Sequence, residues 1–276
     1  MATREQAGWR SVSWQAHQNS NSEMPENTMA AVTYAWELGG IPELDIRQTA
    51  DGTIVGLHDA TPGRTTDAPE ADKDKEISTL TFEQLQVWDA GIRFGEPFRG
   101  ERIPALAHIL AVLAEHPERE LYLDYKQVDL GALAGLIRRY GVGSQIIFAH
   151  NDYNNCCTVK ELLPDVRTML WVSGRVPEAA MRKFEEMAEA DFASLDIIQL
   201  HLVNAEEDQA EAGWNYRLPR PFLASALQRL QEKGRELEVL PFYFDDASLF
   251  DLLDLGIRRF AVDEPKVFVE SLQRYF

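Results

Sequence analysis

Residues 41–59 read IPELDIRQTADGTIVGLHD. The first half is a short apolar run built on Ile41, Leu44 and Ile46, and it carries two carboxylates, Glu43 and Asp45, two positions apart. Alternate side chains on a strand share a face, so both acids point the same way. Two acids on one face of an otherwise apolar strand are costly unless something neutralises them. One divalent cation with oxygen ligands does so, Mg²⁺ or Ca²⁺ rather than zinc; ordinary solvation is the competing explanation. The second half turns back. Asp51-Gly52 between two alternating runs signals a two-residue hairpin loop. That register sets His58 directly opposite Asp45, with β-carbons about 5 Å apart. A histidine beside paired acids suits proton transfer near neutral pH.

Outward from this stretch, apolar runs of strand type recur at 11–17, 41–46, 120–126, 145–150, 166–172, 196–202, 238–244 and 259–264. Helical patterns lie between them, at 27–38 with Asn27 or Thr28 as its cap, and at 104–113, 130–140, 155–163, 177–190, 221–233 and 247–255. Strands alternating with helices predict a parallel sheet with crossovers. Eight strands predict closure into a (β/α)8 TIM barrel, with an open sheet as the alternative. The 276 residues suit one such domain spanning 1–276, since a barrel takes about 250. The hairpin and the Pro-, Gly- and charge-rich stretch 60–100 read as an insertion at the barrel mouth after the second strand, with a short helix near 81–88.

Further candidates fall on other strands. Asp124 and Lys126 share a face of the third strand, a further carboxylate ligand beside an ammonium able to hold an anionic oxygen; a mutual ion pair is equally compatible. His17 ends the first strand, and that end of a barrel strand is the mouth, where catalytic side chains gather. His150 and His201 also sit at or near strand ends, so position alone does not separate them from His17. His108 and His116 fall on or near a helix and read as structural.

Composition narrows the partners. The net charge is −18 and no basic patch appears, which argues against nucleic acid. An anionic substrate entering such a field needs a local cation. The two cysteines, Cys156 and Cys157, are adjacent, which fits neither a disulfide framework nor a zinc site. The N-terminus lacks a long apolar run, so no signal peptide or membrane span is expected, and a cytoplasmic location follows as the expectation. Oligomeric state is not legible.

The ordered motifs resemble the glycerophosphodiester phosphodiesterase family. They are His17, Glu26-Asn27-Thr28, Glu43-Leu44-Asp45, Thr49-Ala50-Asp51-Gly52, His58-Asp59, Arg64-Thr65-Thr66, Asp124-Tyr125-Lys126 and Val262-Asp263-Glu264-Pro265. Each is weak alone; the ordered set spans nearly the whole chain. The resemblance implies Glu43, Asp45 and Asp124 as metal ligands and His17 and His58 as the catalytic pair. It places Lys126 near the phosphate, and gives Glu26 and Asn27 a supporting role, with capping or packing as the alternative. It implies one divalent cation, a small-molecule phosphodiester substrate, and release of glycerol 3-phosphate and an alcohol.

Three departures from the family pattern stand out. The Arg-Gly that follows the first histidine is Gln18-Asn19 here, so an uncharged donor replaces a phosphate-holding cation; either Lys126, Arg64 or another cation compensates, or the phosphate group differs from the usual one, and Asn19 is expected to tolerate the left-handed backbone of the missing glycine. Asp124 replaces a longer glutamate. Phe242-Tyr243-Phe244 replaces Trp-Thr, giving either an aromatic wall or ordinary packing. Two other functions stay open: a sphingomyelinase-D-like lyase releasing a cyclic phosphate, and a catalytically weak phosphate- or metabolite-binding barrel, which Gln18 favours.

Overall fold

A computed structural model describes residues 8–19, 22–206 and 214–276. Eight parallel strands form a closed ring: β1 (Ser13–Ala16), β2 (Ile41–Gln48), β4 (Leu121–Gln127), β5 (Ile146–His150), β6 (Arg167–Val172), β7 (Ile197–Leu202), β8 (Glu236–Pro241) and β9 (Arg259–Val262). The ring closes because β1 pairs with both β9 and β2. β3 (Ile54–Gly56) hangs antiparallel on the outer end of β2. The expected barrel is therefore present.

Alternation along the strands sorts the core. Val12, Trp14 and Ala16 face outward into the main apolar layer, which continues through Leu44, Leu123, Phe148, Leu170, Leu200, Val239 and Phe260. The opposite parity faces the barrel axis. There a small apolar plug of Ile41, Tyr122, Ile147, Ala149, Met169 and Ile197 fills the lower layers, and polar groups take over toward the mouth. Helices return the chain between strands. The first, α1 (Met29–Glu37), begins at Thr28, whose hydroxyl accepts from the Ala31 amide at 3.2 Å. No helix among the described residues is long and apolar enough to cross a membrane.

Several bounds differ from expectation: β1 stops at Ala16, so His17 opens a 3-10 turn rather than ending the strand, and β9 stops at Val262. β8 ends at Pro241, so the Phe242–Phe244 aromatics lie beyond it rather than within it; proline supplies no amide to continue the ladder. The hairpin loop has three residues, not two. Gln48 pairs with Ile54 and Ile46 with Gly56. The Thr49 amide donates to the Thr53 carbonyl at 2.9 Å, and the Gly52 amide to the Thr49 carbonyl at 3.0 Å. Gly52 takes φ 83°, the left-handed residue that closes a three-residue loop. The register therefore slips by one, and the amide opposite Asp45 belongs to Leu57, which donates to the Asp45 carbonyl at 2.9 Å.

The 60–100 stretch packs a small core of its own. Val55 and Leu57 of the hairpin meet Ala68, Ile77, Leu80, Leu85, Trp88, Ala90 and Ile103. Its short helix, α2 (Phe82–Leu85), starts with a capping box between Thr81 and Gln84.

Candidate active site

Glu43 and Asp45 on β2 and Asp124 on β4 converge at the C-terminal mouth, with ligand oxygens all within 4.8 Å of one another. The register makes this unavoidable, since Asp45 pairs directly with Asp124. All three are buried, Asp45 to 1% exposure. Asn27 clasps Asp45 from both ends: its amide nitrogen donates to Oδ2 at 2.8 Å, and its Oδ1 accepts from the Asp45 backbone amide at 2.9 Å. Asn27 reaches this position at φ 55°, in the left-handed region that asparagine tolerates. It holds Asp45 directly, while the capping role falls to Thr28.

Lys126 bridges two of the acids, 2.7 Å from Asp124 Oδ2 and 3.0 Å from Asp45 Oδ1. Three carboxylates thus face one ammonium. Asp45 Oδ1 and Asp124 Oδ1 are buried and make no hydrogen bond, although the first lies within ion-pair range of Lys126. Burial pushes the Glu43 carboxyl up to about 8; His17 opposes this, and Asp45 and Asp124 add to it. Such a cluster lacks positive charge, and its donors are all hard oxygens. The residues fit a Mg²⁺ or Ca²⁺ ion.

Gln18 adopts φ 45°, ψ 31°. The left-handed turn expected at position 19 falls one residue earlier, and the Asn19 side chain lies outside the described structure. This conformation aims the Gln18 amide at Glu43 Oε2, 2.8 Å away. A non-glycine residue held there costs roughly 1–3 kcal/mol, offset locally by the hydrogen bond from the Gln18 backbone amide to the Glu43 carboxyl.

The two histidines are mounted alike. His17 Nδ1 lies 2.7 Å from Asp263 Oδ1, and His58 Nδ1 lies 2.8 Å from Asp59 Oδ1. Each carboxylate occupies Nδ1 and leaves Nε2 as the nitrogen available to the cavity. Burial opposes protonation of His17, but Glu43, Asp263 and Asp45 together raise it to about 9. His58 does not reach the cavity as the cross-strand partner of Asp45. It arrives one residue beyond the slipped register, with its carbonyl gripped by Arg47 Nε and Nη2 at 3.0 and 2.8 Å.

Arg64 does not offer its charge to the cavity. Its guanidinium makes a two-pronged contact with Glu26, at 2.8 and 2.7 Å, and binds Asp59 at 2.5 and 3.0 Å. A chain Glu26–Arg64–Asp59–His58 results, so Arg64 and Glu26 orient the histidine from behind. Asp59, Asp263 and Arg47 are not given site roles by the sequence; Asp59 and Asp263 do fall within the motifs His58-Asp59 and Val262-Asp263-Glu264-Pro265, while Arg47 carries no signal.

These groups open on a cavity of about 470 Å³. Its lining includes His17, Gln18, Glu43, Asp45, His58, Asp124 and Lys126. Across from them stand Trp171, Ser173, Arg175, Gln199, His201 and Phe242, most of which went unremarked in the sequence. Phe242 meets the rings of both His17 and His201 edge-on, whereas Tyr243 is exposed and Phe244 packs on Phe268. His150 is absent from the lining. It packs against Tyr125 and hydrogen-bonds Asn155.

Burial depresses the His201 imidazole to about 4, and the neighbouring His17 and Arg175 charges add to the effect. Below pH 6.5 the unfolded chain takes up this proton and the folded one does not, so His201 costs stability as pH falls from 6.5 toward 4. The linkage loss amounts to roughly 3 kcal/mol. Urea unfolding of His201→Gln should therefore show a smaller drop in stability between pH 7 and pH 4.5 than the parent. An equal drop would contradict a half-buried His201 that stays neutral in the folded chain.

Fold and geometry together define a class: (β/α)8 barrels that gather a buried triad of acids and two carboxylate-backed histidines at the C-terminal mouth. Within it, the model of the glycerophosphoryl diester phosphodiesterase family matches residues 17–267, and the chain belongs to that family. It is 38% identical over 141 residues to a glycerophosphodiester phosphodiesterase of Caldanaerobacter subterraneus subsp. tengcongensis, covering 50% of this chain and 52% of that protein. It is 34% identical over 154 residues to human glycerophosphodiester phosphodiesterase 1, covering 55% and 43%. The chain thus matches about half the length of these relatives. An Oleispira antarctica phosphodiesterase, solved with its product sn-glycerol-3-phosphate, shares the fold with a TM-score of 0.71 at 21% identity, over 94% of this chain and 96% of that one.

Proposed function

We propose that the chain is a metal-dependent phosphodiesterase that cleaves glycerophosphodiesters to glycerol 3-phosphate and an alcohol. The observation that carries this reading is the buried Glu43–Asp45–Asp124 triad, with two hydrogen-bond-free oxygens, beside two histidines that each present Nε2 to one cavity. Family membership and the product named for the Oleispira neighbour support the choice of diester.

Glu43, Asp45 and Asp124 would hold Mg²⁺ or Ca²⁺, which when bound supplies Lewis acidity to a phosphoryl oxygen. Lys126 places its ammonium at the rim of the same cluster, where it stabilises negative charge on the phosphoryl group. Of the two histidines, one removes the proton of the attacking hydroxyl at Nε2 and the other delivers a proton to the departing oxygen at Nε2. Asp263 and Asp59 keep each ring oriented and stabilise its charged form. Asn27 fixes the Asp45 carboxylate, and the Gln18 amide fixes that of Glu43.

Turnover of glycerophosphodiesters with choline, ethanolamine, inositol and glycerol arms should require Mg²⁺ or Ca²⁺ and vanish in EDTA. Phosphorus NMR should show glycerol 3-phosphate as the end product. Accumulation of a cyclic phosphate alone would favour a lyase, and tight ligand binding without turnover would favour a binding protein.

A further inference from the structure

The cavity has two unlike walls. Around the eight-strand ring, β7 stands opposite β2 and β6 opposite β1. The acids, His17 and Lys126 hold the near wall, so whatever is attached to the phosphorus must extend toward the far one. Among the described residues, no carboxylate lines that far wall.

Arg175 stands there, exposed to the cavity, and no described carboxylate pairs with it. The other cation of the lining, Lys126, is held by two acids. The loop that carries Arg175 is pinned. A β-carbon on Gly174 would sit 1.8 Å from the His201 carbonyl oxygen, so this backbone lies directly on β7. The backbone at Arg175 is thereby held beside His201.

His201 adds no competing charge and no anion trap. The Gln199 amide nitrogen donates to Glu238 Oε1 at 2.6 Å and to Gln15 Oε1 at 3.1 Å. Its oxygen is left to face His201 Nε2, 3.0 Å away, which must then carry the proton. Burial and the neighbouring positive charges keep the ring neutral. It also lies flat on Trp171, with centroids 5.2 Å apart and planes 11° apart, so that face of the indole is covered. An ammonium head group would find here neither an acid nor that open aromatic face, and it would meet a guanidinium.

We propose that Arg175 makes the far wall an anion subsite, so that the protein selects phosphodiesters whose second arm carries a negative charge, either a carboxylate or a further phosphate, over those with an ammonium arm. This rests on the phosphodiesterase reading above. The net field of the chain repels anions, and Arg175 supplies a local exception.

The test compares kcat/KM at low salt for four diesters of glycerol 3-phosphate: inositol 4-phosphate and lactate arms (anionic), a glycerol arm (neutral) and a choline arm (cationic). The parent protein should favour at least one anionic arm over choline by roughly ten-fold or more, as a charged hydrogen bond predicts. The inositol 4-phosphate and lactate results tell phosphate from carboxylate. Arg175→Gln should level the preference and Arg175→Glu reverse it; the side chain is exposed, so both should fold. The preference should shrink with added salt. A parent that ignores arm charge, or a preference unmoved in Arg175→Glu, overturns this subsite while leaving the phosphodiesterase reading intact. Absence of turnover on every diester overturns both.

Discussion

Replacing Asp45 with asparagine should lower metal-dependent turnover by about three orders of magnitude, equivalent to about 4 kcal/mol of transition-state stabilisation. Asp45 is the most constrained of the three acids. It pairs with Asp124 across β2 and β4, is clasped at both ends by Asn27, and lies beside Lys126. The asparagine is nearly isosteric, so the fold should survive; losing one charge from a crowded acid triad relieves repulsion in metal-free protein. The expected signature is therefore a split one: a melting temperature in EDTA that is unchanged or higher, with a much smaller rise on adding Mg²⁺ or Ca²⁺, and activity nearly abolished. Retained turnover with the same cation dependence would remove Asp45 from the metal site.

Alanine at His17 should reduce kcat by about 10²–10⁴, the range for loss of a general acid or base, and His58→Ala should do likewise. The partners separate chemistry from position. Asp263→Asn retains a hydrogen-bonding group at His17 Nδ1 but removes its charge, so a smaller loss and a shifted pH–rate profile are expected. Asp59→Asn should do the same for His58 while also releasing Arg64, which Glu26 still holds. If both histidine variants hydrolysed glycerophosphodiesters at the parent rate, proton transfer would have to come from elsewhere in the cavity.

Much of this architecture was legible in the chain. The strand runs and the Glu43/Asp45 and Asp124/Lys126 pairs follow from two-residue periodicity, which the structure obeys because one face of each strand meets the outer helices and the other the barrel axis. The hairpin register was not legible. Asp-Gly serves a two-residue loop and a three-residue loop equally well, and the choice rests on Thr49. Its hydroxyl donates to Asp51 at 2.5 Å and accepts from the Thr53 amide at 3.0 Å. Arg64 looked like a spare cation because its two acid partners lie 5 and 38 residues away, and nothing in the sequence pairs it with the more distant one, Glu26. Arg175 was invisible for the same reason: the contact between Gly174 and β7 that brings it beside His201 is purely tertiary. His150 and His201, indistinguishable by strand position, separate only when Asn155 and Gln199 show which ring is drawn toward the cavity.

The three acids ride on the barrel ring itself and His17 on the turn that leaves β1, whereas His58 rides on an outboard arm with a separate small core. The machine is thus built from a fixed jaw and a mounted one, joined through Arg47 and the Glu26–Arg64 link. Loosening the mounted jaw would leave ion capture whole while silencing the reaction, so the two capacities can be lost, or tuned by change in the arm, one at a time.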